Sequence, residues 1–88
     1  MIAVYSGDRA WRLAVEHLLR TAGVATRAAS RPAELAKCLS DGRVRVVVVG
    51  PAAEDAAGAA KVITSQATIH ASPGDSTEDV GRRAMALP

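Results

Sequence analysis

His17, Cys38 and His70 are the side chains best able to ligate a transition metal or to act as acid, base or nucleophile. Zinc sites gather such residues at short, characteristic spacings. Here each falls on a different element and no pair has ligand spacing, so ordinary surface or boundary histidines are expected. Cys38 lies one turn into the apolar side of a helix with no base near it in sequence, so it reads as buried filler. Asp8 could hold a cation or act as an acid, and its place just before a helical run suits an N-cap better. Ser6-Gly7-Asp8 at a helix start could cradle an anion through backbone N–H groups. It lacks the Gly-Lys-Ser/Thr of a phosphate-binding loop, and Gly50-Pro51 followed by Gly58 is no dinucleotide fingerprint. Arg9, Arg12, Arg20, Arg27 and Arg31 could form a basic face, read as solvated because no recognition helix accompanies it. Arg82 and Arg83 are read the same way. No catalytic residue, metal site or cofactor is expected.

The elements that would position these residues are organised by Arg43 to Gly50, Arg-Val-Arg-Val-Val-Val-Val-Gly. Four consecutive valines are stiff at χ1 and suit a strand covered on both faces. Such a strand is central in an open α/β sheet, and it puts any crevice at its carboxyl end, around Gly50. Ile2–Ser6 reads as the first strand and Arg9–Ala22 as the clearest helix. That helix carries an apolar stripe of Trp11, Val15, Leu18, Leu19 and Ala22. Arg12, Glu16 and Arg20 are expected opposite, with Glu16–Arg20 a favourable pair one turn apart. Gly23 should end the helix. Val24–Ala29 is a weak strand, expected at an edge. Ser30 is an expected N-cap for a second helix with Pro32 in its first turn and Leu35, Cys38 and Leu39 buried; Asp41-Gly42 should stop it. Ala52–Ala60 has helix propensity, with Glu54 and Asp55 near its start and Ala59, Val62 and Ile63 facing the sheet. Ala67–Ala71 reads as a fourth strand, Ser72–Asp75 as a turn, and Ser76 or Thr77 as the cap of a last helix through Leu87. The pattern βαβαβαβα makes a small parallel sheet with helices on both faces the economical fold.

Composition bounds the rest. The chain has 88 residues, which fits one domain over 1–88. Phe is absent, and Trp11 and Tyr5 are the only aromatics, so there is no platform for stacking bases. Charge is uneven: residues 1–45 hold eight basic and four acidic side chains, residues 46–88 three and five. The imbalance is read first as solvated helix faces; the alternative is two complementary faces, which would favour head-to-tail association or an acidic partner. One cysteine permits no internal disulfide, no segment reads as a membrane span or signal peptide, and a cytoplasmic protein is expected.

Residues 4–23, Val-Tyr-Ser-Gly-Asp-Arg-Ala-Trp-Arg-Leu-Ala-Val-Glu-His-Leu-Leu-Arg-Thr-Ala-Gly, resemble the first strand and helix of bacterial response-regulator receiver domains. Those strands end in acidic residues and the helix closes in Leu-Leu-x-x-Ala-Gly. Residues 67–85 resemble the family's fourth strand and next helix, including the step at Gly74, Asp75, Asp79 and Val80. The resemblance implies a flavodoxin-like sheet of order 2-1-3-4-5. The departures imply loss of phosphoryl transfer. The phosphoacceptor Asp of strand three falls on Gly50, and the acidic pair after strand one falls on Ser6 and Gly7, leaving Asp8. One carboxylate anchors Mg²⁺ poorly. The switch hydroxyl falls on Ala71, or on Ser72 with a one-residue slip, and the fifth strand with its Lys is missing before Pro88.

The expected fold class is therefore α/β, a receiver-like parallel sheet of about four strands. The expected function is non-catalytic: a shortened pseudo-receiver used for self-association or for binding another protein. Without a fifth strand, strand four becomes an edge with no charge or Pro to blunt it, and the last helix loses the neighbour it would pack beside. The expected interface residues are Ile69, His70, Val80, Arg83, Ala84 and Leu87, with Trp11 either core or a binding anchor. The rivals are a small phosphotransferase or nucleotide-binding subunit, and a regulatory domain of a longer transcription factor or ATPase. Phosphocarrier subunits of sugar transport need a Cys or His just after strand one, where Ser6, Gly7 and Asp8 stand here.

Overall fold

The valine run forms the strand its β-branched residues favour, with Val46–Val49 buried at all four positions. The computed structural model describes residues 1–40, 42–51, 56–63, 65–71 and 74–86. Its elements are β1 (Ile2–Tyr5), α1 (Arg9–Thr21), β2 (Thr26–Ala29), α2 (Pro32–Ser40), β3 (Val46–Val49), α3 (Ala56–Val62), β4 (Ala67–His70) and α4 (Thr77–Ala86). The four strands make one parallel sheet in the order β2-β1-β3-β4. The expected α/β fold class is thus the observed one, with β3 interior and β2 at an edge. The expected start of α3, with Glu54 and Asp55, lies outside the described residues, as do Asp41, Ser72, Pro73 and Leu87. No described helix is long and apolar enough to cross a membrane.

Local chemistry sets the helix ends. The Asp8 carboxylate accepts from the backbone N–H of Trp11 at 3.1 Å, so Asp8 is the N-cap of α1. Gly23 takes a φ of +84°, which glycine adopts without steric cost. Its N–H donates to the Arg20 carbonyl and the Val24 N–H to the Leu19 carbonyl, both at 2.9 Å. These two bonds close the helix in a Schellman motif. Ser76 caps α4 by accepting from Asp79 N–H at 3.1 Å. Ser30 does not cap α2. The helix starts at Pro32, whose missing N–H costs nothing in a first turn, and the Ser30 hydroxyl instead bonds the Glu34 carboxylate at 2.9 Å.

Period-two alternation splits the core into two layers. Ile2, Val4, Val46, Val48 and Ile69 face α1 and α4, where Val15, Leu19, Val80 and Ala84 meet them. Ala3, Tyr5, Val47 and Val49 face α2 and α3, meeting Leu35, Cys38 and Ala59, with Leu39, Val62 and Ile63 partly buried beside them. The placement of α4 corrects the expectation of an unpartnered last helix. Gly81 lies against Leu18 of α1, where an added Cβ would strike the Leu18 Cδ2 methyl. Right-handed crossovers put α2 and α3 together on one face. A helix leading on to a strand outside β4 would join them there; α4 instead shares the α1 face.

Glu16 also departs from the expected polar face. It is 4% exposed, and Ala22, expected in the apolar stripe, is exposed at the C-cap. The flank of α1 toward β2 is covered by Arg20, whose Nε donates to Thr26 Oγ1 at 3.1 Å. The Glu16–Arg20 pair forms at 3.4 Å through Oε2, but Oε1 is buried without a partner among the described residues. An unsatisfied buried acceptor costs about 1–3 kcal/mol, and an ion pair with an exposed arginine contributes little in return. Glu16→Met should therefore raise stability by about 1 kcal/mol. A urea midpoint that falls instead would mean the carboxylate carries a bond that matters to the fold.

Candidate functional site

Strand order reverses between β1 and β3, so their carboxyl ends form the crevice where α/β sheets of this kind bind ligands. Among the described residues, that place is filled by an aromatic ring. Gly50 follows β3 and is buried, its N–H donating to the Tyr5 carbonyl at 2.8 Å. The indole of Trp11, half-buried in the first turn of α1, covers it. A Cβ added to Gly50 would lie 2.6 Å from Cε3 and Cη2 of that ring, and closer still to Cζ3. Ser6, fully buried, fastens the two loops together. Its hydroxyl donates to the Pro51 carbonyl at 2.6 Å and accepts from the Asp8 N–H at 3.1 Å. Arg12 donates to the Ser6 carbonyl at 2.8 Å. Among the described residues, the Ser6 hydroxyl and the Asp8 carboxylate at this point are both engaged in holding backbone.

Among the described residues, the outer edge of β4 is open: β4 pairs only with β3. Ala67 and Ala71 donate to the Arg45 and Val49 carbonyls at 2.9 and 2.8 Å. The strand period then turns the N–H and C=O of Thr68 and His70 away from β3, toward solvent. A cleft of about 240 Å³ runs beside this edge under α3, lined by Val49, Ala59, Ala60, Ile63, Gln66, Thr68 and His70. The opposite edge, β2, carries the exposed Arg27; charge at an edge discourages strand addition.

No protein-family profile, curated protein or solved structure matches this chain.

The structure separates the sequence-derived candidates. His17 and His70 are exposed on opposite layers, Cys38 is buried under α2, and no three potential ligands cluster among the described residues. Burial raises the Cys38 thiol pKa, with Arg27 pulling it part of the way back; a raised thiol is a weaker nucleophile at neutral pH. Of the expected interface residues, Ile69, Val80 and Ala84 are 7%, 0% and 1% exposed, so their side chains belong to the core rather than to a free surface. The sequence alone did not reveal this because it does not show that α4 covers β4. Leu87 lies outside the described residues. His70 and Arg83 are exposed, Arg83 pairing with Asp75 at 3.2 Å. Trp11 is spent on Gly50. A glycine ending a fully buried strand was the one sequence signal that something large sits above it.

Proposed function

We propose that this chain is a non-catalytic protein–protein interaction module of bacterial signalling, regulation or localisation, working in the cytoplasm through the β4 edge. One observation carries the reading: the outward N–H and C=O groups of Thr68 and His70 form an edge that no other described strand pairs and that carries no Lys, Arg, Asp or Glu. Such an edge accepts an added strand through main-chain hydrogen bonds, and adjacent clefts select the side chains. The filled crevice supports the non-catalytic half. Where receivers carry the phosphoacceptor, this chain has a glycine under an indole. The likeness of residues 4–23 to receiver domains supports the signalling context.

Incubation with a small-molecule phosphodonor and Mg²⁺ should leave the intact mass unchanged. A stable phosphate adduct would overturn the reading in favour of a phosphotransferase. For the interaction half, Thr68→Pro removes an outward N–H while leaving the bonds to β3 in place. Used as paired baits, wild-type and T68P proteins should differ: a partner held by the first should be released by the second.

A further inference from the structure

Resting on that interaction reading, we infer that the occupant of the β4 edge is a second copy of this chain, paired antiparallel about Ile69 to give a continuous eight-stranded sheet. Two independent features of the protein are self-complementary under that one twofold axis.

The first is the strand. In an antiparallel pair, residues directly opposite must both turn their polar groups toward the partner or both turn them away. Centring the axis on Ile69 sets Thr68 opposite His70 of the second copy, and His70 opposite Thr68. Both are the outward residues, so each pair exchanges two hydrogen bonds, four per dimer. Ile69 then faces Ile69 of the second copy in the close, non-hydrogen-bonded position, and Ala67 faces Ala71. No opposed side chain is Lys, Arg, Asp or Glu, and those on the α4 side are small or apolar.

The second is α4. It packs over both β3 and β4, with Val80 and Ala84 toward the sheet and Gly81 toward α1. Asp79 and Arg83, one turn apart and exposed, therefore lie on the flank away from α1, on the side of the open edge. With strands about 4.8 Å apart, a helix seated between β3 and β4 stands about 10 Å from its twofold mate, which is helix-packing distance. The two α4 helices run antiparallel there, so Asp79 of each faces Arg83 of the other. The charge pattern is complementary to itself. The alternative, β4 on β2 of the next copy, would build an open fibre and bring up the edge that carries Arg27.

Light scattering from low micromolar to near-millimolar concentration should show a concentration-dependent dimer. Thr68→Pro removes two edge donors per dimer and should raise the dimer Kd about a hundredfold. Arg83→Asp should raise it about tenfold, and adding Asp79→Arg to that variant should recover most of the loss. The swap series controls for the Arg83–Asp75 pair, which is absent from both variants, and it decides the matter if T68P fails to fold by circular dichroism. A monomer at every concentration overturns the homodimer, as does a dimer indifferent to T68P, or one that the double charge swap weakens as much as R83D alone. A monomer that holds another protein through a T68P-sensitive contact overturns the homodimer and leaves the interaction reading standing. Phosphorylation would sink that reading and leave the dimer standing.

Discussion

Gly50→Asp is expected to lower stability by about 3–5 kcal/mol and to shift the emission of Trp11 to the red. The substitution puts an acid where receiver domains carry theirs, but the space is already taken. The new Cβ would fall within 2.6 Å of Cε3 and Cη2 of the indole, and overpacking of this kind costs about 1–3 kcal/mol. The carboxylate adds the cost of a charge placed against the face of an aromatic ring. The ring can only swing out toward water, which the emission of the chain's single tryptophan reports without interference. Gly50→Ala isolates the steric part and should cost about 1–3 kcal/mol. Combining it with Trp11→Leu should give less than the sum of the two single losses, because the smaller side chain removes the collision. Additive losses, or G50A with unchanged stability and emission, would show that the indole does not sit over Gly50. The non-catalytic reading would then lose its support from the filled crevice.

What could be read from the sequence was local and periodic. The four valines of β3, the Asp8 cap, Gly23 at the end of α1 and Ser76 before α4 each follow from one residue's backbone or hydrogen-bonding preference. Each is found where those preferences put it. Glu16 was misplaced because a helical stripe records only the face turned to the sheet's middle. The flank over β2 is covered by the Arg20 side chain reaching Thr26, a contact with no signature in hydropathy. The side taken by α4 was not legible for a different reason. Crossover handedness constrains a helix between two strands of the same sheet, and α4 has a strand only before it among the described residues. That choice of face also decided the candidate site. With α4 over β4, Ile69, Val80 and Ala84 become core, and the candidates left are the half-buried Thr68 and the exposed His70, Asp79 and Arg83. That the backbone groups of Thr68 and His70 turn outward follows from the β3–β4 pairing, which composition does not reveal.

The same placement of α4 makes Leu19 the residue whose truncation should cost most within its layer. Leu19 is fully buried where α1, α4 and the sheet converge, among Val4, Val48, Val80 and Ala84. Its backbone carbonyl also accepts from the Ala22 and Val24 N–H groups that close α1, at 3.1 and 2.9 Å. Leu19→Ala keeps that carbonyl and removes only the side chain, so its effect reads packing alone. A buried Leu→Ala change costs about 2–5 kcal/mol, against a total of roughly 4–13 kcal/mol for a domain of 88 residues. The upper part of that range would leave much of the population unfolded at 25 °C. Leu13→Ala, on the same helix but 48% exposed, supplies the control and should cost about 0.5 kcal/mol or less. Urea melts of the two variants should therefore separate widely in midpoint with nearly equal slopes. If Leu19→Ala melted with Leu13→Ala, α4 would not be packed on α1. Its Asp79–Arg83 flank would then no longer be held beside the β4 edge, and the dimer geometry built on it would fall too.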